Sequence, residues 1–195
     1  MAPVTKTSVE LTPSVLISVA AMLLLFPLKW IFAWLVAAMI HESCHCLALI
    51  ILGHPIYKVQ LLTVGARIHT EPLPYSHQVF CSLSGPIGGL SLLFCASLYP
   101  QLAFCALSQS VFNLLPIHPL DGGRALYGFI CCIFSTHTAN KIYKLIESVF
   151  IVILLINTIL LGFRLGSLPA LLFALLLLKT KGVKIPCKWE HHRVQ

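Results

Sequence analysis

The chain has 195 residues, of which 58% are hydrophobic and only 10% charged. A soluble domain carries about a quarter charged residues, so six acidic side chains are too few to cover a surface in water, and the composition excludes a soluble enzyme in favour of a polytopic membrane protein. The net charge of +7 sits in connecting segments and at the C-terminus, where cytoplasmic loops carry it, so no nucleic-acid partner is expected.

The N-terminal MAPVTKTSVELTPS holds one lysine and no Ala-x-Ala-like cleavage site follows it, which predicts a retained first span and not a removed signal peptide. Six apolar stretches can be marked: about Leu11 to Leu28, Trp30 to Gly53, Gln78 to Leu98, Gln101 to Leu120, Ile142 to Phe163 and Leu168 to Leu178. All but the short sixth approach the ~17–25 residues needed to cross a bilayer. Tyr99-Pro100 is the only break between the third and fourth, predicting a tight helical hairpin. Residues 56–71, IYKVQLLTVGARIHTE, are rich in strand formers around Gly65 and predict a β-hairpin at the membrane face. Residues 122–135 predict a short helix along the interface.

The expected fold class is therefore an all-α polytopic membrane protein with about six transmembrane helices and a membrane-associated β-hairpin after the second. One core domain is expected over residues 1–180, with a basic cytoplasmic tail, 181–195, that anchors to anionic lipid. The eight cysteines include no Cys-x-x-Cys pair and lie mostly in apolar runs, so they read as buried thiols and not as a disulfide framework. With the N-terminus inside, Lys6, Lys58, Arg67, Arg124, Lys141, Lys144, Lys179, Lys181, Lys184, Lys188 and Arg193 fall on the cytoplasmic side and only Lys29 and Arg164 outside. That asymmetry predicts an integral, multi-pass protein with both termini cytoplasmic.

The second apolar stretch contains His41-Glu42-Ser43-Cys44-His45. Residues four apart share one helix face, so His41 and His45 can hold one metal ion, with Glu42 in reach of a water on it. This is the His-Glu-x-x-His arrangement of zinc proteases. A glutamate in a membrane span costs a few kcal/mol or more and is rarely idle; the plainer reading is a polar patch satisfied by neighbouring helices. A catalytic zinc needs a third protein ligand. The single aspartate, Asp121, is the leading candidate, and capping of the following helix is its plainer role. Cys44, three residues after His41, is a further thiol near the metal or a structural one.

The chain resembles the site-2 proteases, intramembrane zinc metalloproteases of peptidase family M50. The resemblance rests on HESCH at 41–45, Ser-Gly-Pro at 84–86 and Asn113-x-x-Pro116-x-x-Pro119-Leu120-Asp121-Gly122, and covers nearly the whole chain. It is most like the compact branch that holds the sporulation protease processing a sigma-factor precursor. The resemblance implies one zinc per chain bound by His41, His45 and Asp121, and Glu42 as general base and then proton donor. It implies that Asn113 holds the substrate or stabilises the oxyanion, and that Pro116 and Pro119 break the fourth helix to place Asp121. It further implies a membrane-tethered protein substrate, inhibitory membrane partners, a bacterial cytoplasmic membrane, and an oligomeric state left open. The chain departs from the family in Val64-Gly65-Ala66 where a glycine pair is usual, and in the absence of PDZ-like and CBS-type segments from the sequence.

Peptide bonds of a helix are shielded, so a substrate must be unwound, and the hairpin edge is expected to pair with it as an added strand. His54, His69, His77 and His118 are expected near the cytoplasmic face as channel residues or as histidines without special role, and Lys144 with Glu147 as an interfacial pair. The rival readings are an inactive membrane scaffold and a metal transporter. The chain shows neither the repeated halves usual in transporters nor the loss of a catalytic side chain expected of a scaffold.

Overall fold

The computed structural model describes residues 8–11, 23–61 and 66–165. Helix α1 spans Leu28–Ile51. A Schellman cap ends it: Gly53 takes the left-handed φ of 75°, its N–H donates to the Ile50 carbonyl at 3.0 Å, and the His54 N–H donates to that of Leu49 at 2.9 Å. The chain then enters strand β2, Ile56–Leu61, which pairs antiparallel with β3, Ala66–Thr70. The expected hairpin is present, with an irregular register between Ile56 and Lys58. Unforeseen was β1, Ser8–Leu11, which lies parallel on the other side of β2 and makes a three-stranded sheet in the order β1-β2-β3.

Helix α2, Tyr75–Ser91, continues as a 3-10 turn over Leu92–Cys95. Pro100 then opens α3, Pro100–Asn113, in the first turn, where its missing N–H costs nothing. The expected hairpin of apolar helices is thus formed. The fourth apolar stretch is shorter in space than in sequence. It is helical for 14 residues, about 21 Å of rise, and residues 114–120 run as turns into α4, Asp121–Ile133. Pro116 and Pro119 explain the break, since each removes a helix donor. The short helix expected at 122–135 is α4. Helix α5, Thr136–Leu165, starts six residues before the fifth apolar stretch expected at Ile142.

Among the described residues three helices are long and apolar enough to cross a membrane: Leu28–Ile51, Tyr75–Cys95 and Thr136–Leu160. The first and sixth expected spans fall largely or wholly outside the described residues, as does the tail. Small side chains let the helices approach, as membrane packing favours. Ala33 and Ala37 of α1 meet Cys105 and Ala106 of α3, and Ala48 and Leu49 of α1 meet Cys81 of α2 with Ile56, Ile68 and Leu73 around them. Large apolar side chains such as Leu24, Phe32 and Phe94 face outward, an arrangement suited to lipid.

Candidate metal centre

His41 and His45 lie one turn apart on the buried face of α1 and are only 2% and 9% exposed. Asp121 opens α4 with its side chain 13% exposed. Its Oδ2 stands 3.0 Å from His41 Nε2 and 3.2 Å from His45 Nε2, and the two Nε2 atoms are 3.2 Å apart. The three donors form a closed triangle. Pairwise hydrogen bonds cannot satisfy all three edges, whereas one cation bound at about 2.0–2.1 Å can. Two imidazole nitrogens and a carboxylate oxygen suit zinc and leave a position for water. Among the described residues this is the one cluster of three such ligands.

The neighbours fix the donors. His45 Nδ1 donates to the Cys81 carbonyl of α2 at 2.7 Å, which leaves the Nε2 lone pair facing the cluster. This is the usual device by which an outer hydrogen bond sets a ligand's tautomer. Ser84 Oγ donates to the same carbonyl at 2.7 Å. That orienting group is a backbone oxygen, and no side-chain motif announces it. Burial pushes the Asp121 carboxyl up, but the adjoining imidazoles of His41 and His45 outweigh it and hold it at about 2.

Glu42 adjoins His41 and is half-buried. Asn113, the last residue of α3, places Nδ2 3.4 Å from His41 Nε2. The five candidate residues thus come from three segments: the interior of α1, the end of α3 and the start of α4. Cys44 goes elsewhere: a Cβ on Gly88 of α2 would collide with its Sγ, so this thiol packs between α1 and α2.

Glycines set how closely the elements approach. A Cβ on Gly85 would enter the His45 ring, and one on Gly122 would enter the backbone at Leu114 and Leu115. The Ser-Gly-Pro at 84–86 is thus the place where α2 lies against a candidate ligand.

Two arrangements escaped sequence reasoning. His54 Nδ1 pairs with Glu71 at 2.8 Å, while its Nε2 lies 2.8 Å from His77 Nδ1. This Glu71–His54–His77 chain ties the end of α1 to the segment after β3 and to the first turn of α2. Glu147, expected beside Lys144, instead accepts hydrogen bonds from the His118 backbone N–H at 2.9 Å and the Tyr143 hydroxyl at 3.2 Å. The only sequence signal for it is an acid inside an apolar helix.

Residues 73–157 match the model of Peptidase family M50, a stretch that holds Asn113 and Asp121. Stage IV sporulation protein FB of Bacillus subtilis (strain 168) is 28% identical over 133 residues, which make up 61% of this chain and 46% of that protein. The chain thus spans a little under half the length of this curated relative. The fold is similar to that of a site-2 protease from Methanocaldococcus jannaschii, with a TM-score of 0.63 at 20% identity, covering 96% of this chain and 94% of that one.

Proposed function

We propose that this chain, which belongs to peptidase family M50, is an intramembrane zinc metalloendopeptidase that cuts a membrane-tethered protein in or near its transmembrane segment. The observation that carries the reading is the triangle of His41, His45 and Asp121, formed by residues 76 and 80 positions apart with Glu42 adjoining the first of them. Family and span-length helices make the chain an integral membrane protein.

His41, His45 and Asp121 would hold the zinc. When bound, the ion supplies Lewis-acid chemistry, polarising a carbonyl and bringing a water's pKa to near 7. Glu42 takes a proton from the attacking water and delivers it to the leaving amine nitrogen as the carbon–nitrogen bond breaks. Asn113 donates from Nδ2 to the substrate's carbonyl oxygen, where negative charge develops. The Cys81 carbonyl keeps His45 in the tautomer that frees Nε2.

The substrate must present an extended segment. Among the described residues, β2 is flanked on both sides, by β1 and β3, which leaves the outer edges of β1 and β3, and the hairpin's own edge, β3, is the one proposed for a substrate strand. The similarity to a sporulation protein favours a sigma-factor precursor as the class of substrate. The similarity to a bacterial protein favours a bacterial cytoplasmic membrane crossed several times, and the basic residues favour both termini and the tail 181–195 inside.

The test is metal content after purification in detergent, wild type against Asp121→Ala. About one zinc per chain, lost or sharply weakened in the variant, supports a site made by both motifs. Equal zinc in both removes Asp121 as a ligand, and no zinc in wild type removes the protease reading. Glu42→Gln then serves as a trap: metal kept, turnover lost, substrate retained.

A further inference from the structure

We propose that Glu147 is a positioning residue for the metal centre, a strap from α5 that holds the turn segment 114–120 and through it Asp121. The inference rests on the metal-site reading above and assigns a role to a residue outside the five that make the site.

The turn segment is the weak point of the site's construction. In an apolar setting every backbone N–H without a helical partner needs another acceptor. Within the segment, the Ile117 N–H donates to the Leu115 carbonyl at 2.8 Å and the Leu120 N–H to that of Ile117 at 2.9 Å. The His118 N–H is met from outside, by Glu147 Oε1 at 2.9 Å. A bond from a backbone N–H to a carboxylate is stronger than one to a neutral acceptor. Asp121 follows three residues later.

The same carboxylate oxygen accepts from Tyr143, one helical turn earlier on α5, at 3.2 Å. Tyr143 is only 2% exposed. It leans on the start of α4: a Cβ on Gly123 would lie 2.8 Å from its hydroxyl and 2.6 Å from the Ile117 carbonyl. Its ring also packs edge-on against Tyr127 of α4, with centroids 5.5 Å apart, and Tyr127 does the same to Tyr75 of α2 at 6.4 Å. Glu147 and Tyr143 therefore grip the chain on both sides of Asp121, at His118 and at Gly123. α5 contributes no residue to the triangle itself. A half-buried acid on an otherwise apolar span is costly, and the strap gives this one a use.

Both bonds need an acceptor oxygen, which the carboxylate charge strengthens. Glutamine keeps that oxygen; leucine removes it. The experiment measures zinc affinity by competition with a chelator and the visible absorption of the cobalt-substituted protein. The forms compared are wild type, Asp121→Ala, Glu147→Gln, Glu147→Leu and Tyr143→Phe, each with the thermal stability of its metal-free form. Loss of an outer hydrogen bond made directly to a ligand costs about ten- to a hundredfold in affinity; Glu147 acts one step further out, through His118, so Glu147→Leu should lower affinity by about tenfold, the low end of that range, with an altered cobalt spectrum. Glu147→Gln should lie within a few fold of wild type, and Tyr143→Phe between the two.

Glu147→Leu with the affinity and cobalt spectrum of wild type overturns the strap, as does Glu147→Gln failing as badly as Glu147→Leu. Should Glu147→Leu not fold, Tyr143→Phe decides: a weaker site in a metal-free form as stable as wild type supports the strap, and an unchanged site overturns it. Failure of the metal site itself looks different, because wild type and Asp121→Ala would then bind alike.

Discussion

Gly85 of α2 faces the imidazole of His45 on α1 so closely that a Cβ at that position would enter the ring. The backbone of α2 is thus one wall of the candidate metal centre, and the Cys81 carbonyl one turn earlier orients the same imidazole. Gly85→Ala should push His45 off both the carbonyl and the cluster. Overpacking of this kind costs about 1–3 kcal/mol, and zinc affinity should fall at least tenfold, read by chelator competition.

Gly88 gives the contrasting case. A Cβ there would meet Cys44 Sγ, a side chain outside the metal cluster. Gly88→Ala should lower thermal stability with less effect on zinc, and Cys44→Ala should restore part of the loss, because it removes the colliding sulfur while a Cβ stays 2.9 Å away. Gly85→Ala has no such rescue, since the group it strikes is itself a candidate ligand. The four proteins compared by unfolding and metal content decide this.

Acid should loosen the turn segment before Asp121. Burial lowers the His118 imidazole from its ordinary 6.5, the nearby Arg124 lowers it further, and Glu147 opposes them. An imidazole lowered in the folded protein binds protons more readily when unfolded. Its contribution to stability is then full above about 6.5 and is lost as pH falls through the lowered value. The melting temperature of wild type should therefore drop more steeply between pH 7 and pH 5 than that of His118→Asn. Parallel profiles would show that His118 has no part in it.

Proline scanning along β3 tests the substrate edge. Ring closure removes one N–H at a time, and successive N–H groups point to opposite sides of a strand. Of Arg67, Ile68 and His69, the positions whose N–H faces away from β2 should lower cleavage while zinc content holds. Activity indifferent to every such proline would refute strand addition.

The Glu71–His54–His77 chain should act as one unit, because His54 bonds both partners through opposite ring nitrogens. A double-mutant cycle over His54→Ala and His77→Ala should show a coupling of about 0.5–1.5 kcal/mol in unfolding free energy. Additive losses would mean that the contact contributes nothing to the attachment of the hairpin.

Much of this protein was legible in its sequence because the signals are local. A charge-poor, apolar chain implies a membrane, the spacing of His41 and His45 implies one helix face, and proline at 116 and 119 implies a broken helix. A single aspartate in the whole chain made a distant partner for the histidines easy to nominate. What stayed hidden depends on which surfaces meet. Nothing local says that Ser8–Leu11 pairs parallel to β2, since a four-residue strand has no identity apart from its partner. Nothing local directs Glu147 to a backbone N–H 29 residues away when Lys144 stands one turn before it.

The sequence by itself therefore determined the solvent, the helices and the chemistry on offer, because hydrophobicity, proline and helical period act within a few residues. Only the tertiary structure decided that Asp121 reaches both histidines, that a backbone carbonyl orients one of them, and that Cys44 turns away. Those outcomes depend on how closely α1 and α2 approach, set where glycines at 85 and 88 leave no room for a Cβ, and on how tightly the start of α4 lies against the 114–115 backbone, set at Gly122.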